Sequence, residues 1–204
     1  MVKNVIFDLG NVLIGFDKER IARCYTGDAD CLEFLLQKCF GSPEWVKLDL
    51  GEITAEEAAA AVAARENGRY NDRVRALFCG WFENAPVNEA ALGIAHTLKA
   101  GGRRIFILSN MHLAAAEYFE RKGLFDGFDG TVISALEHMK KPDRRIFRLL
   151  LDRYGLKAGE CLFVDDDDTG ASYDAARNFG FLGRAVRPND AGDVEAELKE
   201  FGIM

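Results

Sequence analysis

Val5-Ile6-Phe7-Asp8-Leu9-Gly10-Asn11-Val12-Leu13 is the stretch that decides the fold. Three apolar, β-prone residues run straight into a carboxylate, and a Gly-Asn pair then turns the chain. The same arrangement recurs downstream. Ile105-Phe106-Ile107-Leu108 leads into Ser109-Asn110, and Leu162-Phe163-Val164 leads into Asp165-Asp166-Asp167-Asp168. Thr131-Val132-Ile133 is another short run, and a weaker one lies near Phe181–Val186. Strands that are apolar at every position belong to a sheet covered on both faces. Helical patterns separate most of these runs. Ala90–Ala100 is closed by Gly101-Gly102, and Ser172–Phe179 ends at Gly180. Asp143–Tyr154 sets Ile146, Phe147, Leu150, Leu151 and Tyr154 on one face, with Gly155 beyond. The alternation predicts a Rossmann-like α/β core built on a parallel sheet.

Outward from the first strand, the β signal stops. Between Phe16 and about Asn84 the pattern is helical, with two well-marked starts. Ser42-Pro43-Glu44 sets a capping hydroxyl before a proline at the first helical position. Thr54-Ala55-Glu56-Glu57 is a capping box, followed by the alanine-rich run Ala58–Ala64. The expected layout is a core of residues 1–15 and 85–204, interrupted after its first strand by an all-helical insert of residues 16–84.

The 204 residues, 49% of them hydrophobic, suffice for a buried core without disulfides or a structural metal. A net charge of −7 with no long Lys or Arg run gives no surface for a nucleic-acid backbone. The five cysteines, Cys24, Cys31, Cys39, Cys79 and Cys161, are scattered and include no CxxC pair. They read as reduced, packed thiols, as expected of a cytoplasmic protein. Met1-Val2-Lys3-Asn4 leads directly into the first strand, and no apolar run approaches the length of a membrane span. Neither a leader peptide nor a membrane segment is therefore expected. Oligomeric state leaves no trace in the sequence.

Ligands of open parallel sheets bind beyond the carboxyl ends of the strands. Those positions hold Asp8, Ser109-Asn110 and the run Asp165–Asp168, with Lys140-Lys141 just before Pro142. A hydroxyl, one or two lysines and several carboxylates would then share one edge. Clustered carboxylates repel one another unless a cation intervenes, and all-oxygen ligation suits Mg²⁺. A carboxylate left free beside such a metal could attack a phosphoryl group and form a mixed anhydride.

These residues resemble the motifs of the haloacid dehalogenase (HAD) superfamily. Phe7-Asp8-Leu9-Gly10-Asn11-Val12-Leu13 is similar to its first motif and Leu108-Ser109-Asn110 to its second. Lys141-Pro142-Asp143, with Ile146-Phe147 downstream, resembles the third, and Phe163-Val164-Asp165-Asp166 the fourth. The motifs stand in the family's order across nearly the whole chain. The helical insert resembles the family's small four-helix cap, and Gly51-Glu52-Ile53-Thr54 is similar to a stretch found in such caps. The resemblance implies that Asp8 is the nucleophile and a metal ligand, that Ser109 bonds the phosphoryl group, and that Lys141 balances charge. It further implies that Asp165, Asp166 and the backbone carbonyl of Gly10 hold Mg²⁺, and that Asn110 and Asn11 position the substrate or its loop. The expected activity is hydrolysis of a small phosphorylated metabolite.

Two departures from the family pattern stand out. Most phosphatases of the superfamily carry a second Asp, which shuttles the proton, where this chain has Gly10. General acid–base catalysis typically contributes about 10²–10⁴-fold, so a substitute is needed or turnover is slow. Asp-Leu-Gly-Asn-Val resembles a branch that includes sugar-1-phosphate phosphatases, whose leaving group needs less protonation. That points to a phosphosugar. Asp17, at the entrance to the insert, is a candidate substitute acid, against the plainer reading of a hinge or surface carboxylate. The second departure is the aspartate run, whose loop is longer than usual. The metal pair is Asp165 and Asp166 if read from the strand, or Asp167 and Asp168 if read from the helix. A strand end fixes side-chain direction more firmly, which favours the first.

Other residues have plainer readings. Lys140 reads as solvated. His96, His112 and His138 show no ligand spacing, and His112 reads as a surface or packing residue rather than part of a site. Trp45, Trp81, Phe78 and Phe82 read as the small core of the insert, with Trp45 the one candidate for facing a substrate. Two alternative functions follow from the same residues. A 2-haloacid dehalogenase would use Asp8 without metal, an option that Gly10 favours and the aspartate run opposes. A feebly active member would mainly bind a phosphorylated ligand or a protein partner.

Overall fold

Alternate side chains of Asn4–Phe7 (β1) enter two different apolar clusters. Val5 and Phe7 join one, and Ile6 joins the other. The computed structural model describes residues 1–167 and 169–204. After β1 come α1 (Lys18–Arg23), α2 (Ala29–Lys38), α3 (Pro43–Asp49), α4 (Ala55–Arg65) and α5 (Asn71–Gly80), then a 3₁₀ turn at Trp81–Asn84. The chain continues as α6 (Glu89–Ala100), β2 (Arg104–Ser109), α7 (Leu113–Arg121), β3 (Gly130–Ile133) and α8 (Ser134–Glu137). It closes with α9 (Arg144–Tyr154), β4 (Cys161–Val164), α10 (Ala171–Arg177) and α11 (Ala191–Glu200).

The sheet is parallel throughout, in the order β3-β2-β1-β4. Period-two alternation on doubly covered strands explains both apolar layers. Val5, Phe7, Ile105, Ile107, Leu162 and Val164 face one layer, while Ile6, Phe106, Leu108 and Phe163 face the other with Ile146, Phe147 and Leu150 of α9. The first layer does not stop at the sheet. It runs through Leu9, Leu13 and Ile14 into Phe34, Trp45, Val62 and Phe78 of the helical segment.

Helix starts follow the expected chemistry. Ser42 Oγ accepts the Trp45 N–H at 3.1 Å. Thr54 and Glu57 form the reciprocal box, and Asp143 caps α9, which ends at Gly155 in the left-handed region. The weak run at Phe181–Val186 makes only isolated bridges, Leu182 with Leu162 and Ala185 with Asp165, rather than a strand. Gly183 explains this. Its φ is +129°, and a Cβ there would lie 2.3 Å from the Phe163 carbonyl oxygen, so the backbone crosses β4 closely and leaves the ladder. Among the described residues, no helix is long and apolar enough to cross a membrane.

Candidate active site

The chain moves from β1 to β2 and β3 on one side, then returns to place β4 on the other side of β1. The crevice where the direction reverses is where ligands of open sheets bind. Phe7 and Val164 are register partners across that crevice. Their successors, Asp8 and Asp165, therefore leave neighbouring strand ends side by side. Strands lie about 4.8 Å apart, so two carboxylates are forced together, and both are buried.

Lys141 answers this repulsion. Its buried ammonium lies 3.0 Å from Asp8 Oδ1 and 2.5 Å from Asp165 Oδ2. Burial alone would lower the Lys141 pKa, but Asp165 and Asp8 outweigh it and hold the pKa above the ordinary lysine value. Asp8 is shifted the other way. Burial, with repulsion from Asp165, holds its carboxyl well above the usual carboxylate range, against the opposing pull of Lys141 and Ser109. Asp8 Oδ1 is held by its ion pair with the Lys141 ammonium.

Asp166 completes an acidic trio. One carboxylate oxygen each of Asp8, Asp165 and Asp166 lie within 4.8 Å of one another. Three carboxylates against one ammonium leave a charge of about −2 if all are ionised, which a single divalent cation would balance. This excess of negative charge and the all-oxygen donor set fit Mg²⁺. Asp167, by contrast, is spent locally. Its Oδ1 accepts from Thr169, and its Oδ2 accepts the Ser172 N–H at 2.6 Å near the start of α10. Asp168 lies outside the described residues.

The other expected residues divide by what they touch. Ser109 is buried at the end of β2. Asn110 clasps the backbone of Lys141: its Nδ2 donates to the Lys141 carbonyl at 2.9 Å, and its Oδ1 accepts the Lys141 N–H at 2.7 Å. Asn11, at φ 55°, donates to Asp166 Oδ2 at 3.0 Å and accepts from Phe16 N–H and Asn189 Nδ2. Both asparagines thus hold the acidic trio and the lysine in place. Gly10 lines the pocket, and a Cβ added there would meet only Phe16 Cβ, at 3.8 Å. Space does not exclude a side chain at that position. Asp17 is not gathered in. It is exposed, caps α1 by accepting the Arg20 N–H at 3.0 Å, and lines a separate depression with Gly15 and Pro86.

Asp8 lies between an open cleft and a pocket of about 210 Å³ beneath the helical segment. The pocket is walled by Phe16, Trp45 and Trp81, with Phe16 and Trp81 ring centroids 4.9 Å apart. Trp45 and Trp81 are both buried, as core residues would be, yet both also face this space. His112 is a packing residue. It is buried, accepts from Trp81 Nε1 at 2.5 Å, and burial pushes its pKa down to about 4.

Asp49 is the residue that sequence reasoning passed over, and Lys140 is one that it read as solvated. Asp49, at the end of α3, is buried and lines the pocket. Lys140, expected in solvent, is half-buried and places its ammonium 3.4 Å from Asp49 Oδ2. Trp45, Leu48 and Asp49 fall on one helical face at i, i+3 and i+4. A carboxylate on an otherwise apolar face was the available signal.

Known proteins resemble this chain in sequence and in fold. The haloacid dehalogenase-like hydrolase family is matched over residues 2–180. The chain is 24% identical to D-ribitol-5-phosphate phosphatase of Bacteroides thetaiotaomicron, covering 97% of each protein. A stretch of 87 residues is 38% identical to acyl-CoA dehydrogenase family member 10 of Mus musculus, covering 41% of this chain but 8% of that protein. A HAD family enzyme of B. thetaiotaomicron, solved in complex with magnesium and inorganic phosphate, superposes with a TM-score of 0.74 at 20% identity, covering 93% of this chain and 96% of that one. L-2-haloacid dehalogenase of Xanthobacter autotrophicus shares the fold, with a TM-score of 0.64 at 21% identity over 100% of this chain and 85% of that one. With the family matched from the first strand to the end of the fourth motif's helix, the chain belongs to the haloacid dehalogenase-like hydrolases.

Proposed function

We propose that this chain is a Mg²⁺-dependent phosphatase of small phosphorylated metabolites, with Asp8 as the nucleophile. The observation that carries the reading is the convergence of Asp8, Asp165 and the half-buried Asp166, with one carboxylate oxygen of each within 4.8 Å of the others. A haloacid dehalogenase gains nothing from such a cation site, and crowding three carboxylates without one is costly. The phosphatase activity named for the Bacteroides relative supports the same choice.

In this reading Asp8, Asp165, Asp166 and the Gly10 carbonyl hold the cation. When bound, Mg²⁺ supplies Lewis acidity toward phosphoryl oxygens and offsets the charge of the trio. Asp8 attacks phosphorus to form an aspartyl phosphate, which water then hydrolyses. Lys141 offsets negative charge on Asp8 and the transferring group, and Ser109 at the end of β2 hydrogen-bonds that group. Asn110 and Asn11 serve by fixing Lys141 and Asp166. Residues 16–84 act as a cap over a core of residues 1–15 and 85–204. A phosphosugar is the substrate class we favour, because a pocket of about 210 Å³ with aromatic walls and a carboxylate suits a small polyol face.

The test is phosphate release from a panel of phosphate monoesters, with Mg²⁺ and with EDTA, beside Asp8→Asn. Release should require the metal and fall at least about 10³-fold in the variant, as expected on removing an essential nucleophile. Absence of phosphate release from every ester would overturn the reading.

A further inference from the structure

Gly10 leaves the site without the side chain that would hand a proton to the leaving group, and nothing on β1 or its turn replaces it. Asp17, the nearby alternative in sequence, is occupied in capping α1 and lies outside the pocket. Among the described residues, the remaining carboxylate in the Asp8 pocket outside the acidic trio is Asp49. We propose that Asp49 of α3 is the catalytic acid–base of this enzyme, protonating the leaving-group oxygen and then activating water. The proposal rests on the phosphatase reading.

The geometry favours a fixed rather than a swinging group. The Asp49 backbone carbonyl accepts from Ser134 Oγ at 2.6 Å, and the following carbonyl, of Leu50, meets His138 Nδ1 at 2.9 Å. Asp49 is thus tied to α8 and the loop after it. Its Oδ2 is engaged by Lys140, the immediate neighbour of Lys141. Its Oδ1 has no hydrogen-bond partner among the described residues, in a pocket where Asp8 also lies. Burial pushes the Asp49 carboxyl up to about 6, with Lys140 opposing. A group poised there exists in both protonation states near neutral pH, as an acid–base requires.

The chemistry closes on itself. As an oxygen of Asp8 forms its bond to phosphorus, the bond from phosphorus to the leaving oxygen breaks, and the Asp49 proton passes to that oxygen. The products are an alcohol, the aspartyl phosphate and an ionised Asp49. Water then attacks phosphorus and gives its proton to Asp49. The bond to Asp8 breaks, Asp8 leaves as a carboxylate, and inorganic phosphate departs.

The test reads the first step alone. Phosphoenzyme formation is measured by rapid quench, in the Mg²⁺-loaded protein, from glycerol phosphate and from p-nitrophenyl phosphate. An alkoxide needs the proton, whereas nitrophenolate leaves without it. In Asp49→Asn and in Asp49→Ser, the ratio of the p-nitrophenyl rate to the glycerol rate should rise by about 10²-fold or more, with urea unfolding showing that the variants are folded. A purely structural Asp49–Lys140 pair would slow both substrates alike. An unchanged ratio in either folded variant therefore overturns the proposal. If the unmodified protein forms no Asp8-dependent phosphoenzyme from either ester, the phosphatase reading itself fails and takes the proposal with it.

Discussion

Lys141 is asked to hold two buried carboxylates at once, at 3.0 and 2.5 Å. Removing one partner of a buried ion pair typically costs about 3–5 kcal/mol, because the charge left behind has nowhere to go. Here Asp8 has a partial escape, since its raised pKa lets it take up a proton. Lys141→Met should therefore destabilise the metal-free protein by about 3 kcal/mol at pH 8 and by clearly less at pH 5.5. Urea unfolding in EDTA at the two pH values measures the difference. An equal loss at both would mean that the lysine acts through packing rather than charge. Asp8, Ser109, Lys141, Asp165 and Asp166 could be picked out of the sequence because each sits at a strand end or beside a proline, where local pattern marks the position. Asp49 and its pairing with Lys140 could not. Their importance arises from a contact between residues 91 positions apart, which no local pattern records.

Elements repeat the lesson. The four strands and the helices that cap themselves are announced by period and by capping chemistry, as Thr54 with Glu57 and Asp143 before α9 illustrate. The run at Phe181–Val186 looks like a strand, and it fails as one because Gly183 must pass close to β4. Close approach also governs the join between α3 and α8. Gly51 has φ +67°, and a Cβ there would lie 2.2 Å from the Ala135 carbonyl oxygen. Gly51→Ala must push the two helices apart and strain its own backbone. The expected cost exceeds about 1 kcal/mol, a fall of at least about 2–4 °C in melting temperature for a chain of this size. Because Asp49 sits two residues earlier, turnover of alkyl phosphates should drop by more than the stability loss explains. A variant with wild-type melting and wild-type turnover would show that this contact does not set the cap's position.

Across the whole molecule, one apolar layer joins the sheet to the helical segment, so core and cap share a single unfolding reaction in this reading. Stability is then a property of the entire chain, and so is its dependence on pH. Several buried carboxyls have pKa values raised in the fold. Asp49 rises from 3.8 to about 6, Glu197 on α11 rises from 4.5 to about 8, and Asp8 is raised as well. For Glu197 the largest cause is burial. Its Oε1 accepts the Arg184 N–H at 2.8 Å, while its buried Oε2 has no partner among the described residues. At pH values between the unfolded and folded pKa, the native state binds protons that the unfolded chain has released. The stability these groups contribute is therefore complete below pH 4 or so and is lost as pH rises, through about 6 for Asp49 and about 8 for Glu197. In EDTA, the urea midpoint should fall steadily between pH 5 and pH 8.5. Mg²⁺ should remove the share due to Asp8, since the cation favours its ionised form. Glu197→Gln keeps the acceptor for Arg184 but cannot ionise, so it should flatten the decline above pH 6 and leave the protein more stable than the parent at pH 8.5. If the midpoint instead rises with pH in the metal-free protein, these carboxyls are ionised in the fold, and the field of Lys141, Lys140 and Arg184 outweighs their burial.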